Sequence, residues 1–210
     1  VDASDRIVVR GVRQLRGIQH HVAGDRIEAD DPALADDIRT RRANAVYLPD
    51  VLCPPGLRVT ADLAEALRDA ELIVAAVPSH GTRDILRHAA PLIRRNAILV
   101  SATKGIERET LLRMSEVATQ ELGRGVPIAV LSGPSFAAEL ARQLPTAASV
   151  ASRDAGVVEQ VQADLRAAYF RLYGTSDVVG VEIGGALKNI IAIAAGVAEG
   201  LALGTTRKPG

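Results

Sequence analysis

The chain has 210 residues, 25 basic and 25 acidic side chains and no net charge. Zero net charge without a basic run excludes nucleic acid as the main partner, and 48% hydrophobic content excludes a disordered chain. One cysteine, Cys53, excludes an internal disulfide framework and fits a reducing, cytoplasmic setting.

Residues 1–30 give little pattern. Arg6 to Val9 reads as a strand, but the stretch after it has no period of two or 3.6. From Asp31 the chain alternates. Asp31-Pro32 reads as an N-cap and a proline at the first helical position, opening a helix to about Ala43. Leu57 to Thr60 is a short strand, and Leu63 and Leu67 share a helix face. Glu71 to Val77 is an apolar run stopped by Pro78, the pattern of a strand buried on both faces. A helix from Thr82 to Ile93 and a strand from Ala97 to Ala102 follow.

Leu111, Met114, Val117 and Leu122 mark a helix ending at Gly123. Pro127 to Ser132 is a strand, Phe136 to Gln143 a helix, and Thr146 to Ala151 a strand. Asp154 caps a helix through Ala168, and Phe170 to Tyr173 is a strand. Strands alternating with helices predict parallel pairing in a doubly wound α/β sheet. Val178 to Leu203 then reads as one long helix, the start of a second, helical domain near Asp177. Its longest uncharged run, Asn189 to Ala198, is too short to span a bilayer, so it reads as a buried helix with no membrane span.

Only three of the 25 basic residues are lysines: Lys104, Lys188 and Lys208. Lys104 follows a buried strand, at the carboxyl edge where open α/β sheets bind ligands. Its ammonium suits a phosphate or a polarised carbonyl; the alternative is a solvated loop lysine. Gly133-Pro134-Ser135-Phe136-Ala137 joins a strand to a helix, which places N–H groups and the Ser135 hydroxyl where an anion can sit. The alternatives are a turn with a serine N-cap, or a nucleophile elbow, although Ala137 replaces the last glycine of that motif. Gly184, Gly185 and Lys188 share a helix face, so two absent side chains leave a hollow beside one amine. Apolar surroundings disfavour a charged amine and prepare it for proton transfer; the alternative is a lysine snorkelling to the surface. His20-His21, Ser79-His80, Arg94-Arg95 and Asp36-Asp37 read as background.

These motifs, with NAVYLP (Asn44 to Pro49), AAVPSH, SATKGIERETLLRMSEV, LSGPSFAAELARQLPTA and FRLYGTSDVVGVEIGGALKNIIAIAAGVAEGL, resemble bacterial NAD(P)-dependent sn-glycerol-3-phosphate dehydrogenase from about Asp31 to Gly204. The resemblance implies a Rossmann-like NAD-binding domain, incomplete, over 31–176, after a disturbed segment 1–30. It implies the truncated start of an all-α substrate domain over 177–210. It further implies reduction of dihydroxyacetone phosphate to glycerol 3-phosphate by NAD or NADP chemistry, for phospholipid synthesis; the alternatives are a catalytically inactive fragment of that enzyme and a related Rossmann hydroxyacid dehydrogenase. Lys188 matches the proton acceptor, and Lys104 a contact to both substrate and cofactor. Gly133, Ser135 and Asn189 match substrate positions, and Ala137 a cofactor position.

The ends depart from the family. No G-x-G-x-x-G turn occurs, since arginines and Gln14 fill the space between Gly11 and Gly17. After Gly204 the family continues Asp-Asn-Ala-Lys-Ala, whereas this chain reads Thr205-Thr206-Arg207-Lys208-Pro209-Gly210. One possible back-translation of that tail, ACA ACG CGA AAG CCG, reads GAC AAC GCG AAA GCC once a preceding G shifts the frame, which would restore the family motif. A frame-shifted tail is therefore expected, and the codons of the gene decide it. A truncated helical domain also leaves an apolar face uncovered, which predicts a homodimer or other self-association.

Overall fold

The computed structural model describes residues 6–10, 26–29, 32–45, 48–54 and 56–201. Lys208, the tail and His20-His21 lie outside the described residues. Ten strands and seven helices follow in order. They are β1 (Arg6–Arg10), β2 (Arg26–Ala29), α1 (Pro32–Arg41), β3 (Ala43–Asn44), β4 (Leu48–Leu52), β5 (Arg58–Thr60) and α2 (Leu63–Leu67). Then come β6 (Leu72–Ala75), α3 (Thr82–Ala89), β7 (Ile98–Ser101), α4 (Met114–Leu122), β8 (Ile128–Ser132) and α5 (Ala137–Ala141). The chain closes with β9 (Thr146–Ala151), α6 (Ala155–Leu165), β10 (Phe170–Thr175) and α7 (Val178–Gly200).

Local chemistry sets several boundaries. Aspartates open three helices by accepting from first-turn N–H groups: Asp62 from Ala64 and Glu65, Asp154 from Gly156, and Asp177 from Gly180. The helix expected to reach Ile93 ends at Ala89 and tightens into a 3₁₀ turn over Ala90–Leu92, because Pro91 cannot donate to a preceding carbonyl. Leu111, expected inside a helix, is exposed in the preceding loop at φ 59°. The helix starts later because the Glu116 carboxylate accepts from the Arg113 N–H at 3.0 Å and fixes the first turn there.

Eight strands form one sheet in the order β10-β9-β8-β7-β6-β1-β2-β5, while β3 and β4 pair separately. The core lies on both faces of this sheet. Leu72 and Val100 pack under α6 with Val161 and Leu165. Their chain neighbours Ile73 and Leu99 pack on the other face with Leu67, Leu86 and Ala118. Alternation of adjacent apolar residues between two cores is why these strands read as continuous apolar runs.

The expected all-parallel pairing is corrected in two places. β6, β7 and β8 are parallel, as are β9 with β10 and β2 with β5. β8 and β9, however, run antiparallel, with Ser132 opposite Ser149. A parallel return needs a long crossover, and the five residues of α5 leave the chain at the same sheet edge. β1 runs antiparallel to both neighbours, Ile7 facing Ala75 and Glu28. The fold is thus an α/β Rossmann-like, mostly parallel sheet followed by a long C-terminal helix.

That helix corrects another expectation. α7 spans 23 residues, long and apolar enough on length and composition to cross a membrane. It is not a buried helix: Glu182 is its single buried residue. The reason lies in what it packs on: α7 touches β8 and β9, and its residues 189–197 are all exposed.

Candidate active site

β8, the loop after it and the first turns of α7 enclose a cleft of about 640 Å³. Ser132, Gly133, Phe136, Asp177, Gly184 and Lys188 are among its walls. It lies at the carboxyl edge of β6–β8, where the sequence places the site. A second hollow of about 480 Å³, between Arg166 and Arg171, holds none of the predicted site residues.

Glycines allow the close approaches that shape the cleft. A Cβ on Gly133 would lie 2.8 Å from Ala148 Cα, so only glycine lets the chain leave β8 flush against β9. The pair on α7 divides its roles. A Cβ on Gly185 would stand 2.6 Å from Ser132 Oγ, whereas one on Gly184 meets nothing within 4 Å. The expected hollow therefore belongs to Gly184; at Gly185 the space is taken by the strand end on which the helix rests.

Lys104 reaches this point from β7. Its ammonium donates to the Gly133 carbonyl at 3.0 Å. Much of its side chain is accessible, yet partial burial, and then the charge of Lys188, hold its pKa below the ordinary lysine value. Gly105, at φ 128°, turns the loop back against Ser79. Lys188 is exposed on α7 with its ammonium 5.7 Å from the centre of the Phe136 ring, a cation–π distance. The apolar shelter expected around Lys188 is reduced to the Phe136 ring, because Lys188 is exposed and the main contacts of α7 are with β8 and β9.

The remaining predicted residues gather less tightly. Ser135 is half-buried and does not cap α5, since Phe136 occupies the N-cap position without a side-chain bond. Ala137 opens α5 and is exposed. Five residues carry little helix dipole, so the anion site expected at this helix start is not formed by the helix itself. Asn189 is exposed and does not line the cleft. Among the described residues no histidine lines it either, and Asp177 is engaged with the Gly180 N–H, so the described residues supply no base for a nucleophile elbow.

Sequence reasoning missed Glu182, Arg113 and Ser115. The Glu182 carboxylate accepts from Arg113 Nη1 at 2.6 Å, the Ser115 N–H at 2.8 Å and Ser115 Oγ at 2.7 Å. The signal was a charge inside an apolar run. Thr103 Oγ1, beside Lys104, is buried with no hydrogen-bond partner, unlike any other side-chain polar atom among the described residues.

A profile of NAD-dependent glycerol-3-phosphate dehydrogenase N-termini matches residues 19–158, and one of C-termini matches 177–209. The chain belongs to the NAD-dependent glycerol-3-phosphate dehydrogenase family. It is 47% identical over 176 residues to the glycerol-3-phosphate dehydrogenase [NAD(P)+] of Pelotomaculum thermopropionicum, covering 83% of this chain and 50% of that protein. It is 46% identical over 186 residues to the enzyme of the same name from Frankia casuarinae, covering 87% and 55%. The crystal structure of glycerol-3-phosphate dehydrogenase from Coxiella burnetii superimposes with TM-score 0.75 at 36% identity, over 83% of this chain and 53% of that one. The chain thus spans about half the length of the curated relatives it matches.

The family uses NAD(P)+. A dinucleotide pyrophosphate ordinarily sits where the first strand of such a sheet turns into a helix. Here β1 fills the slot beside β6 in the reverse direction, so its carboxyl end points away from the edge where β6–β8 end. The described residues therefore present no pyrophosphate cradle.

Proposed function

We propose that the cleft is the triose-phosphate site of a glycerol-3-phosphate dehydrogenase, interconverting dihydroxyacetone phosphate and sn-glycerol 3-phosphate in the cytoplasm for glycerophospholipid synthesis. One observation carries this reading: Lys104 and Lys188, two of three lysines in the chain, converge beside Gly133 from distant segments. Like charges converging on one cleft favour an anion between them, and a phosphorylated triose supplies it. In this reading Lys188 carries the proton at the C2 oxygen. Lys104, Gly133 and Ser135 hold the polar and phosphate groups, whereas Asn189, matched with them by the resemblance, lies outside the cleft lining. Lys104 and Ala137 face NAD or NADP, which when bound supplies the hydride chemistry. Residues 31–176 would form the cofactor domain, and 177–210 the beginning of the substrate domain.

The test is oxidation of NADH or NADPH by purified chain with dihydroxyacetone phosphate. Lys188→Ala is expected to lower turnover about 10²- to 10⁴-fold, the usual weight of a positioned proton carrier. Unchanged turnover in that variant overturns the assignment.

A second reading is favoured by the reversed β1: the cleft binds a triose phosphate without turnover. Calorimetric binding of glycerol 3-phosphate with no dinucleotide oxidation distinguishes it. Self-association through the uncovered face of α7 belongs to either reading. No membrane span is proposed, because the buried Glu182 ties α7 to the α/β layer.

A further inference from the structure

We infer that Glu182 is a positioning residue: it fixes the tilt of α7 and thereby holds Lys188 over the cleft beside Lys104. The inference rests on the dehydrogenase reading for its meaning, but its geometry stands apart from it. Glu182 is the single buried residue of α7, with its side chain 4% exposed. A carboxylate so enclosed must be fully bonded, and the guanidinium of Arg113 and both donors of Ser115 satisfy it. Arg113 in turn pairs with Glu116 at 2.7 Å, so the anchor is braced on α4.

A helix held at one point still swings. The second point is Gly185, where the α7 backbone rests against Ser132 at the end of β8. Glu182, Gly185 and Lys188 follow one another by steps of three along neighbouring faces. Beyond Lys188, residues 189–197 are all exposed, so nothing downstream holds the amine. Its position is set from the amino-terminal side, by a buried charge between one and two turns behind it. Apolar packing would slide; a carboxylate bonded to three donors admits one register.

Three lysines make the test direct. Reductive ¹³C-methylation of the full chain keeps each charge and gives a sparse spectrum in which the Lys104 resonance can be followed through its titration. Because the Lys188 charge lowers the Lys104 pKa, Lys188→Gln should move the Lys104 midpoint upward. In a Glu182→Gln background the same change should leave that midpoint where it was. Retention of the full upward movement in Glu182→Gln overturns the inference, and so does its absence in the parent chain. If Glu182→Gln does not fold, Ser115→Ala, which removes one donor of three, decides: a reduced movement supports the inference and an undiminished one overturns it. Where the parent turns over, Glu182→Gln should also lower kcat about 10²-fold, as a misplaced catalytic group does. An inactive parent overturns the dehydrogenase reading while leaving the lysine coupling measurable.

Discussion

α6 and α7 are both apolar helices opened by an aspartate cap, yet they end in opposite environments. α6 returns between β9 and β10 and buries Val157, Val158, Val161 and Leu165 against the sheet. α7 follows β10, touches β8 and β9, and exposes Ile190, Ile191, Ile193 and Val197. The more apolar helix is the less buried. Apolar composition states what a helix needs; the layers beside it decide whether it is met.

The comparison is sharpest at Leu165, 4% exposed on the α6 stripe. Leu165→Ala should destabilise the chain by about 2–5 kcal/mol through lost burial and a residual cavity. Urea denaturation followed by circular dichroism measures it. A loss under about 1 kcal/mol would mean that α6 is no better covered than α7.

A smaller effect depends on pH and belongs to the buried acidic anchor of the α/β layer. In the α/β layer Arg83 binds Glu107 in a fork, both contacts 2.7 Å, and reaches Glu121 at 2.5 Å. The hydrogen bonds from Arg83, then the one from Thr110, push the Glu107 pKa down to about 2 from 4.5. A lowered folded-state pKa stabilises above the unfolded value, so this contribution is complete above about pH 4.5 and lost as pH falls toward 2. Glu107→Gln should flatten the acid limb of a stability-against-pH curve within that window. An unchanged slope would mean that the Arg83 fork does not form.

These anchors show what was legible in the sequence. β9 lies where its apolar pattern placed it, and the carboxyl-edge position of Lys104 followed from strand order alone. The reversal of β8 to β9 was not legible, because strand direction depends on the reach of the connection, and α5 is shorter than its pattern promised. β3 and β4 pair through backbone groups with little alternation to announce them. At the site, Gly133 and Lys188 announced themselves by residue type. Glu182 did not, since a glutamate in an apolar helix reads as an interruption until Arg113 and Ser115 are seen around it.

The smallest effect is the most exacting test of the contrast. Ile193 is 68% exposed on α7. Truncating a side chain already in water removes little burial, so Ile193→Ala should change stability by no more than about 0.5 kcal/mol. If the loss instead approaches that of Leu165→Ala, something covers α7 in solution. A second copy of the chain is then identified by its dependence on concentration, since association stabilises by mass action. Light scattering across the same concentrations should show a dimer in the parent that weakens in the variant. A concentration-independent monomer with a core-sized loss would instead place the cover within the chain itself. In either case the burial of α7, unlike that of α6, is set by what packs on it after the sheet has formed.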